Sequence, residues 1–122
     1  MTSKPIDIRV TLTLRAEGEV PDTICENGTL LSRGDKALLK LTQRRIQIEK
    51  KRVLIFQNGY TLELNCDKET DLLYPTPYGT LSMRVKTKKL NIDGENISAK
   101  YALYTADSLI HYVTLKLETE RI

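Results

Sequence analysis

Apolar and polar residues alternate along most of this chain, which is the period of a β-strand with one buried and one solvated face. In the opening segment "IDIRVTLTLR", every even-numbered residue from Ile6 to Leu14 is apolar, and the residues between them are charged or Thr. The pattern recurs in "TICENGTLLS", "KALLKLTQ", "RRIQIEK", "TLSMRVKTKK", "ISAKYALYTAD" and "LIHYVTLKLETE". Each segment is predicted to be a strand.

Short segments rich in Gly, Pro, Asn and Asp separate these strands and predict tight turns. The clearest is Asn58-Gly59, a dipeptide typical of a two-residue hairpin, between predicted strands at 53–56 and 60–65. Within the second strand, Asn27-Gly28 predicts either a hairpin or a bulge. Further turns are predicted at "AEGEVPD", "SRGD", "DKETD" and "DGEN". "LLYPTPYG" is predicted to be an irregular segment before the next strand. The sequence predicts no helix, and any helical piece is expected to be about one turn near residues 68–72.

These elements predict an all-β fold in one domain spanning residues 1–122. A long antiparallel meander tends to close on itself, because unpaired edge strands invite aggregation. We therefore expect a single antiparallel meander β-barrel of about eight to ten strands with an apolar interior. A two-sheet β-sandwich is the alternative.

Composition and the N-terminus indicate a soluble cytoplasmic protein. Hydrophobic residues make up 40% of the chain and charged residues 29%, with a formal net charge of +3. "MTSKPIDIRV" lacks the apolar core of a signal peptide, and no apolar run approaches the ~20 residues of a membrane helix. Cys25 and Cys66 form no C-x-x-C motif and are predicted to be reduced, buried thiols rather than metal ligands.

The pattern also resembles the YwiB-like family of small bacterial proteins, uncharacterised in function, which adopt a lipocalin-like (calycin) β-barrel. The residues that carry the resemblance are the "VLIFQNG" hairpin, "TPYGTLSMRVKT", "ISAKYALY" and the final "YVTLKLE", with Glu26 in the second strand. The chain departs from the family at "LLKLTQRRIQI", which is shorter and lacks acidic residues. The resemblance implies a barrel but no activity, since a shared fold does not imply a shared function.

No catalytic or metal-binding motif is present in the sequence: there is no P-loop, G-x-G-x-x-G, H-E-x-x-H or G-x-S-x-G. We therefore expect no enzyme activity, no cofactor and no metal. His111 is the only histidine and falls on the apolar face of the last strand. It is either a satisfied core or rim histidine, or part of a dyad whose nucleophile the fold would have to supply.

Several polar residues are candidates for contacts to a ligand. The segment from Tyr74 to Gly79 is either a rigid corner or a rim loop that offers its tyrosines to a ligand at the barrel mouth. Polar groups on inward faces either satisfy one another or orient a ligand in a small cavity. The candidate ligand-binding residues are Tyr74, Tyr78, Thr87, Tyr101, Thr105 and His111.

Basic residues occur in runs that could form one surface. They are either solvated exterior or a surface for phosphate or RNA. The leading interpretation is a noncatalytic module that binds a small apolar or amphipathic molecule in or at the mouth of the barrel. The alternative is an interaction protein whose basic exterior binds an acidic partner or nucleic acid. The candidate basic surface comprises Arg44, Arg45, Lys50, Lys51, Arg52, Arg84 and Lys86, with Lys88 and Lys89 beside it.

Overall fold

The computed structural model describes residues 4–57, 59–106 and 108–122, which form ten antiparallel strands. No helix among these residues is long and apolar enough to cross a membrane. In chain order the strands are β1 (Ile6–Ala16), β2 (Asp22–Arg33), β3 (Lys36–Leu41), β4 (Arg44–Ile48), β5 (Arg52–Gln57), β6 (Tyr60–Asn65), β7 (Thr70–Thr76), β8 (Gly79–Asp93), β9 (Asn96–Thr105) and β10 (Ser108–Arg121).

All ten strands belong to one sheet in the order β6-β5-β4-β3-β2-β1-β10-β9-β8-β7. The sheet curls until its two edge strands meet. Thr70 Oγ1 donates a hydrogen bond to the Glu63 carbonyl at 2.7 Å, and the Asn65 N–H donates to Thr87 Oγ1 at 3.0 Å. The result is a nearly closed barrel, which confirms the predicted meander barrel and not the sandwich.

Alternate residues of the strands fill the barrel interior. In β1, Ile8, Val10 and Leu12 are buried, as the alternation predicts. Removing one such aliphatic side chain from water contributes about 1.5–3 kcal/mol. The other fully buried large side chains are Leu30, Leu39, Ile46, Ile55, Leu64, Leu115, Leu117, Val53 and Val85.

The Asn27-Gly28 dipeptide lies within a continuous strand, so of its two interpretations the hairpin is wrong. Gly28 pairs with Ile8 of β1 and also ends the β2–β3 ladder opposite Leu41. A Cβ added to Gly28 would overlap the carbonyl oxygen of Lys40. Glycine is needed here because the backbone of β3 passes close to that of β2. From Asn27 back to the start of β2, the strand pairs with β1 and not with β3.

The segment predicted to be irregular forms β7, so both that prediction and the helical turn are wrong. Pro75 pairs opposite Thr80 of β8. Because β7 is an edge strand of the ladder, its other side can accommodate a proline that has no N–H to donate. Of the predicted Asn58-Gly59 hairpin, Asn58 lies outside the described residues and Gly59 has a φ of +78°.

Both cysteines are exposed, so the prediction that they are buried is wrong. Cys25 lies on the outer face of β2, opposite Thr11 of β1. Cys66 follows the end of β6 and begins the turn to β7. Inward and outward side chains alternate along the other strands as predicted. The pairing of β8 with β9 shifts register between Thr87 and Lys89, and the pairing of β9 with β10 shifts between Leu109 and His111.

Candidate binding site at the barrel mouth

Polar side chains face inward at one end of the barrel. This end is formed by the turns that join β1 to β2, β3 to β4, β5 to β6, β7 to β8 and β9 to β10, and we call it the tyrosine end. The strands β3 to β6 are short here, whereas β1, β2 and β8 to β10 are long. The mouth is therefore open on the side of the short strands.

A buried ion pair lies inside this mouth. Arg44, the first residue of β4, donates to Glu26 of β2, with Nη1 and Oε1 2.9 Å apart. Their side chains are only 7% and 9% exposed, respectively. The second carboxylate oxygen of Glu26, Oε2, is buried and has no hydrogen-bond partner among the described residues. A buried acceptor without a donor is unusual, because its desolvation is not offset.

Arg44 begins a hydrogen-bonded chain that runs to the tyrosines. Its Nε donates to Gln57 Oε1 at 2.8 Å, and Gln57 Nε2 donates to the Tyr60 hydroxyl at 2.8 Å. The Tyr60 ring packs against Tyr74 of β7, with centroids 4.9 Å apart. This contact joins the two edge strands of the barrel at the tyrosine end.

Burial keeps two phenols in their neutral form, that of Tyr60 at the mouth and that of Tyr101 in the core. Burial raises the pKa of Tyr60, and the hydrogen bond from Gln57 opposes this effect. Burial also raises the pKa of Tyr101, with a smaller contribution from Tyr60. Both hydroxyls therefore keep their protons at neutral pH and remain available as hydrogen-bond donors.

The mouth opens into a surface groove at the tips of β3 to β6 rather than into a central chamber. This open groove has a volume of about 470 Å³, and Arg44, Gln57 and Tyr60 are part of its lining. Below it, the inward positions are occupied by the buried aliphatic core. A ligand of this site would therefore lie at the mouth and not at the centre of the barrel.

Exposed apolar side chains lie along one side of the tyrosine end, on the hairpins of β1, β7, β8 and β10. We call them the apolar rim; Tyr78 is fully exposed and Val20 is 87% exposed. They lie at the tips of neighbouring hairpins, because β1, β10, β9, β8 and β7 are consecutive in the sheet. Apolar side chains gathered at one end in this way are typical of a binding surface. The apolar rim consists of Val20, Leu73, Tyr74, Tyr78, Leu81, Leu109 and Ile110.

The structure brings together only some of the residues predicted to bind a ligand. Tyr74 packs against Tyr60 at the mouth, and Tyr78 belongs to the apolar rim. Tyr101 is buried in the core of the barrel. Thr87 is buried and accepts the hydrogen bond from Asn65, so it closes the barrel instead. The two other candidates lie on β9 and β10 near the rim: Thr105 is half-buried and His111 is exposed.

Glu26, Gln57 and Tyr60 belong to the site but were not predicted as site residues. The signal for Glu26 was available, since it falls on the same parity as Ile24 and Leu30, where a charged residue is unexpected. Arg44 was assigned to the basic surface, and this is wrong because it lies inside the barrel, paired with Glu26. The alternation with Ile46 and Ile48 indicates the inward position of Arg44.

The other predicted basic residues lie on separate parts of the exterior. Lys50 and Lys51 are exposed in the turn between β4 and β5, whereas β8, which carries exposed Lys86, is not a neighbour of either strand in the sheet. The remaining three make defined contacts: Arg45 stacks over Phe56 at 4.9 Å, Arg52 pairs with Glu49 and Glu63, and Arg84 pairs with Glu69.

No group of three or more His, Cys, Asp or Glu side chains suited to a metal ion occurs within the described ranges. The mouth instead offers one carboxylate, one guanidinium, one amide and phenol groups. Such a set can hold and orient an uncharged or amphipathic molecule by hydrogen bonds.

The fold and the mouth define a small meander β-barrel with a filled interior and a polar site at one end. Residues 32–117 match the family described as a domain of unknown function (DUF1934), and the chain belongs to this family. The structure is similar to that of the ywiB protein from Bacillus subtilis, with a TM-score of 0.67 and 18% sequence identity over 95% of this chain and 92% of that one. This similarity agrees with the resemblance indicated by the sequence.

A second solved structure, the LolA superfamily protein NE2245 from Nitrosomonas europaea, aligns over 96% of this chain and 86% of its own. Its TM-score is 0.30 at 10% sequence identity, which is too low to support an argument. No protein with a curated description matches the chain.

Proposed function

We propose that this protein is a noncatalytic binding module that holds a small amphipathic molecule at the mouth of its barrel. The observation that carries the proposal is the buried Glu26–Arg44 pair, with one carboxylate oxygen left without a donor, at the end of the barrel that also carries the exposed apolar rim. Apolar walls with a few convergent polar groups are typical of sites for small molecules.

The two parts of the mouth would act on different parts of the ligand. The apolar rim would cover an alkyl or ring portion, and each CH₂ removed from water contributes about 0.8 kcal/mol. The polar floor of Glu26, Arg44 and Tyr60 would fix the head group by hydrogen bonds. A fully apolar molecule would leave this floor without partners, and for that reason we favour an amphipathic ligand over an apolar one.

The site is proposed to bind and not to react. Arg44 and Glu26 neutralise each other, and the Gln57 amide engages both Arg44 and Tyr60. Groups that are bonded to one another in this way orient a ligand but do not activate a nucleophile. His111, at the start of β10, is exposed and does not belong to this chain of hydrogen bonds.

Native mass spectrometry of the full chain, purified without detergent, tests the proposal. If the ligand survives purification, we expect a discrete excess mass that disappears on denaturation. If the ligand is lost, titration with lysophosphatidylcholine below its critical micelle concentration should give one adduct. The double variant E26Q/R44M removes both buried charges together and should abolish the adduct.

The matched control is E120Q/R9M, which removes the exposed Arg9–Glu120 pair on the outside of the barrel. This control should bind like the unmodified protein. Equal loss in both variants, or a bare polypeptide mass that stays bare throughout the titration, would overturn the proposal.

A further inference from the structure

The outer face of β8, β9, β10 and β1 carries a cluster of cations that the mouth does not use. These four strands are consecutive neighbours in the sheet. Their outward side chains alternate with the buried core residues of the same strands. We call the cations in the half of this surface toward the tyrosine end the cationic face: Arg15, Arg84, Lys86, Lys89, Lys100 and Lys116. The exposed acidic residues of the same four strands lie toward the opposite end: Asp7, Asp93, Glu118 and Glu120.

The strand register places these cations side by side. Lys89 of β8 lies opposite Lys100 of β9. On the other side of β9, Lys100 lies opposite Thr114 of β10, and Thr114 lies opposite Arg15 of β1. With strands about 4.8 Å apart, this row spans roughly 14 Å. In the sequence these residues are distant, so the runs of basic residues did not reveal the row.

Acidic residues stand at the margin of the cationic face and not within it. Arg84 pairs with Glu69 at 3.5 Å, and Lys116 pairs with Glu118 at 3.8 Å, and both pairs are well exposed. Lys86, Lys89 and Lys100 form no ion pair with any described residue. The centre of the face therefore presents cations that are available to a partner.

Two tyrosines lie among the cations. Tyr104 lies opposite Arg84, and Tyr112 lies opposite Ala102, which is itself opposite Lys86. Both rings are half-buried. Beside Tyr112 is a hollow of about 180 Å³ that is lined by Arg15, Glu17, Gly18, Lys100, Tyr112 and Thr114. The hollow combines two cations with two hydroxyl groups, and Glu17 is the carboxylate at its edge.

We infer that the cationic face binds single-stranded nucleic acid. The lysines and arginines supply contacts to successive phosphates, and Tyr104 and Tyr112 supply aromatic faces for stacking. A duplex hides the faces of its bases, and an acidic peptide or a lipid head group has no base to stack. The combination of cations with tyrosines therefore favours unpaired bases over these other polyanions.

Fluorescence anisotropy with a labelled, mixed-sequence single-stranded RNA of about twelve nucleotides tests this inference, since such sites cover roughly 4–16 nucleotides. If four cations each neutralise one phosphate, the plot of log affinity against log salt concentration has a slope of about −2.8. The variant K89A/K100A should bind more weakly, with a slope of about −1.4.

The matched control is K50A/K51A, which removes the same amount of charge from the turn between β4 and β5. It should keep both the affinity and the slope. The variant Y104L keeps an apolar side chain but loses the aromatic face, and we expect about tenfold weaker binding with an unchanged slope.

Three results would overturn the inference. The first is no RNA binding at low salt, and the second is an equal loss of RNA affinity in K50A/K51A and K89A/K100A. The third is that inorganic polyphosphate and anionic vesicles bind as tightly as RNA and that Y104L does not change their affinity. Circular dichroism and thermal melts of each variant confirm that the barrel is intact. E26Q/R44M should bind RNA normally, so failure of this inference and failure of the proposed mouth site are distinguishable.

Discussion

Replacing Arg44 with Met should destabilise the barrel strongly, and the reason lies in Glu26. The side chain of Glu26 is 9% exposed and its Oε1 accepts from Arg44 at 2.9 Å, while Oε2 has no partner among the described residues. R44M therefore leaves a buried carboxylate with no counter-charge. Breaking a buried pair in this way costs about 3–5 kcal/mol.

The double variant E26Q/R44M should recover most of this loss, because it removes the carboxylate together with the guanidinium. Replacing both members of a buried pair by uncharged side chains is often close to neutral. Chemical unfolding in urea, followed by far-UV circular dichroism, measures the free energy of unfolding of each variant. In thermal melts, at roughly 4 °C per kcal/mol, R44M should lower the Tm by about 12–20 °C.

The control is R9M, which breaks the exposed pair between Arg9 and Glu120. Their side chains are 47% and 65% exposed, so this loss should be below about 1 kcal/mol. If R44M costs no more than R9M, the Glu26–Arg44 pair is not buried as described. If E26Q/R44M is as unstable as R44M, the cost does not come from the isolated carboxylate.

Three further predictions concern Gly28, Tyr101 and the cysteines. G28A should lower the free energy of unfolding in urea by about 1–3 kcal/mol, because the added methyl group meets the backbone of Lys40. An unchanged free energy of unfolding would contradict that close approach. Because burial raises the pKa of Tyr101 above its ordinary value of 10.0, the unfolded state loses its proton first. The free energy of unfolding should therefore fall as the pH rises above about 10, and it should fall less steeply in Y101F than in the unmodified protein. Equal slopes of unfolding free energy against pH would argue against the burial of Tyr101. Both Cys25 and Cys66 should react with a thiol reagent in the native protein at rates near those in urea, and strong protection of either would contradict its exposure.

The barrel could be predicted from the sequence because alternation and turn residues act locally. Ile8, Val10 and Leu12 are apolar every second residue and are buried together in β1, so the face they define follows from the period of the strand alone. β7 could not be predicted in the same way. Its proline is compatible with a strand only at an edge of the ladder, and the edge position depends on the whole sheet order.

The candidate site was only partly predictable, because it depends on which strands approach one another. The parity of Arg44 indicates that it faces inward, but its distance from Glu26 depends on how closely the backbones of β2 and β3 approach at Gly28. Likewise, the contact between Tyr60 and Tyr74 exists because the barrel closes between β6 and β7. Alternation predicts whether a side chain faces inward or outward. It does not predict which side chain of another strand it contacts where the barrel closes.

The strand β9 links the interior of the barrel to the cationic face, since Tyr101 faces the core and Lys100 faces outward on the same backbone. If the backbone of β9 does not move on binding, the amphipathic ligand and the nucleic acid bind independently. If it does move, the factor by which one ligand changes the affinity of the other must be the same in both directions. Measuring RNA affinity with and without lysophosphatidylcholine, and lysophosphatidylcholine affinity with and without RNA, determines this factor twice. Unequal factors would mean that the two ligands compete for, or alter, something other than this barrel.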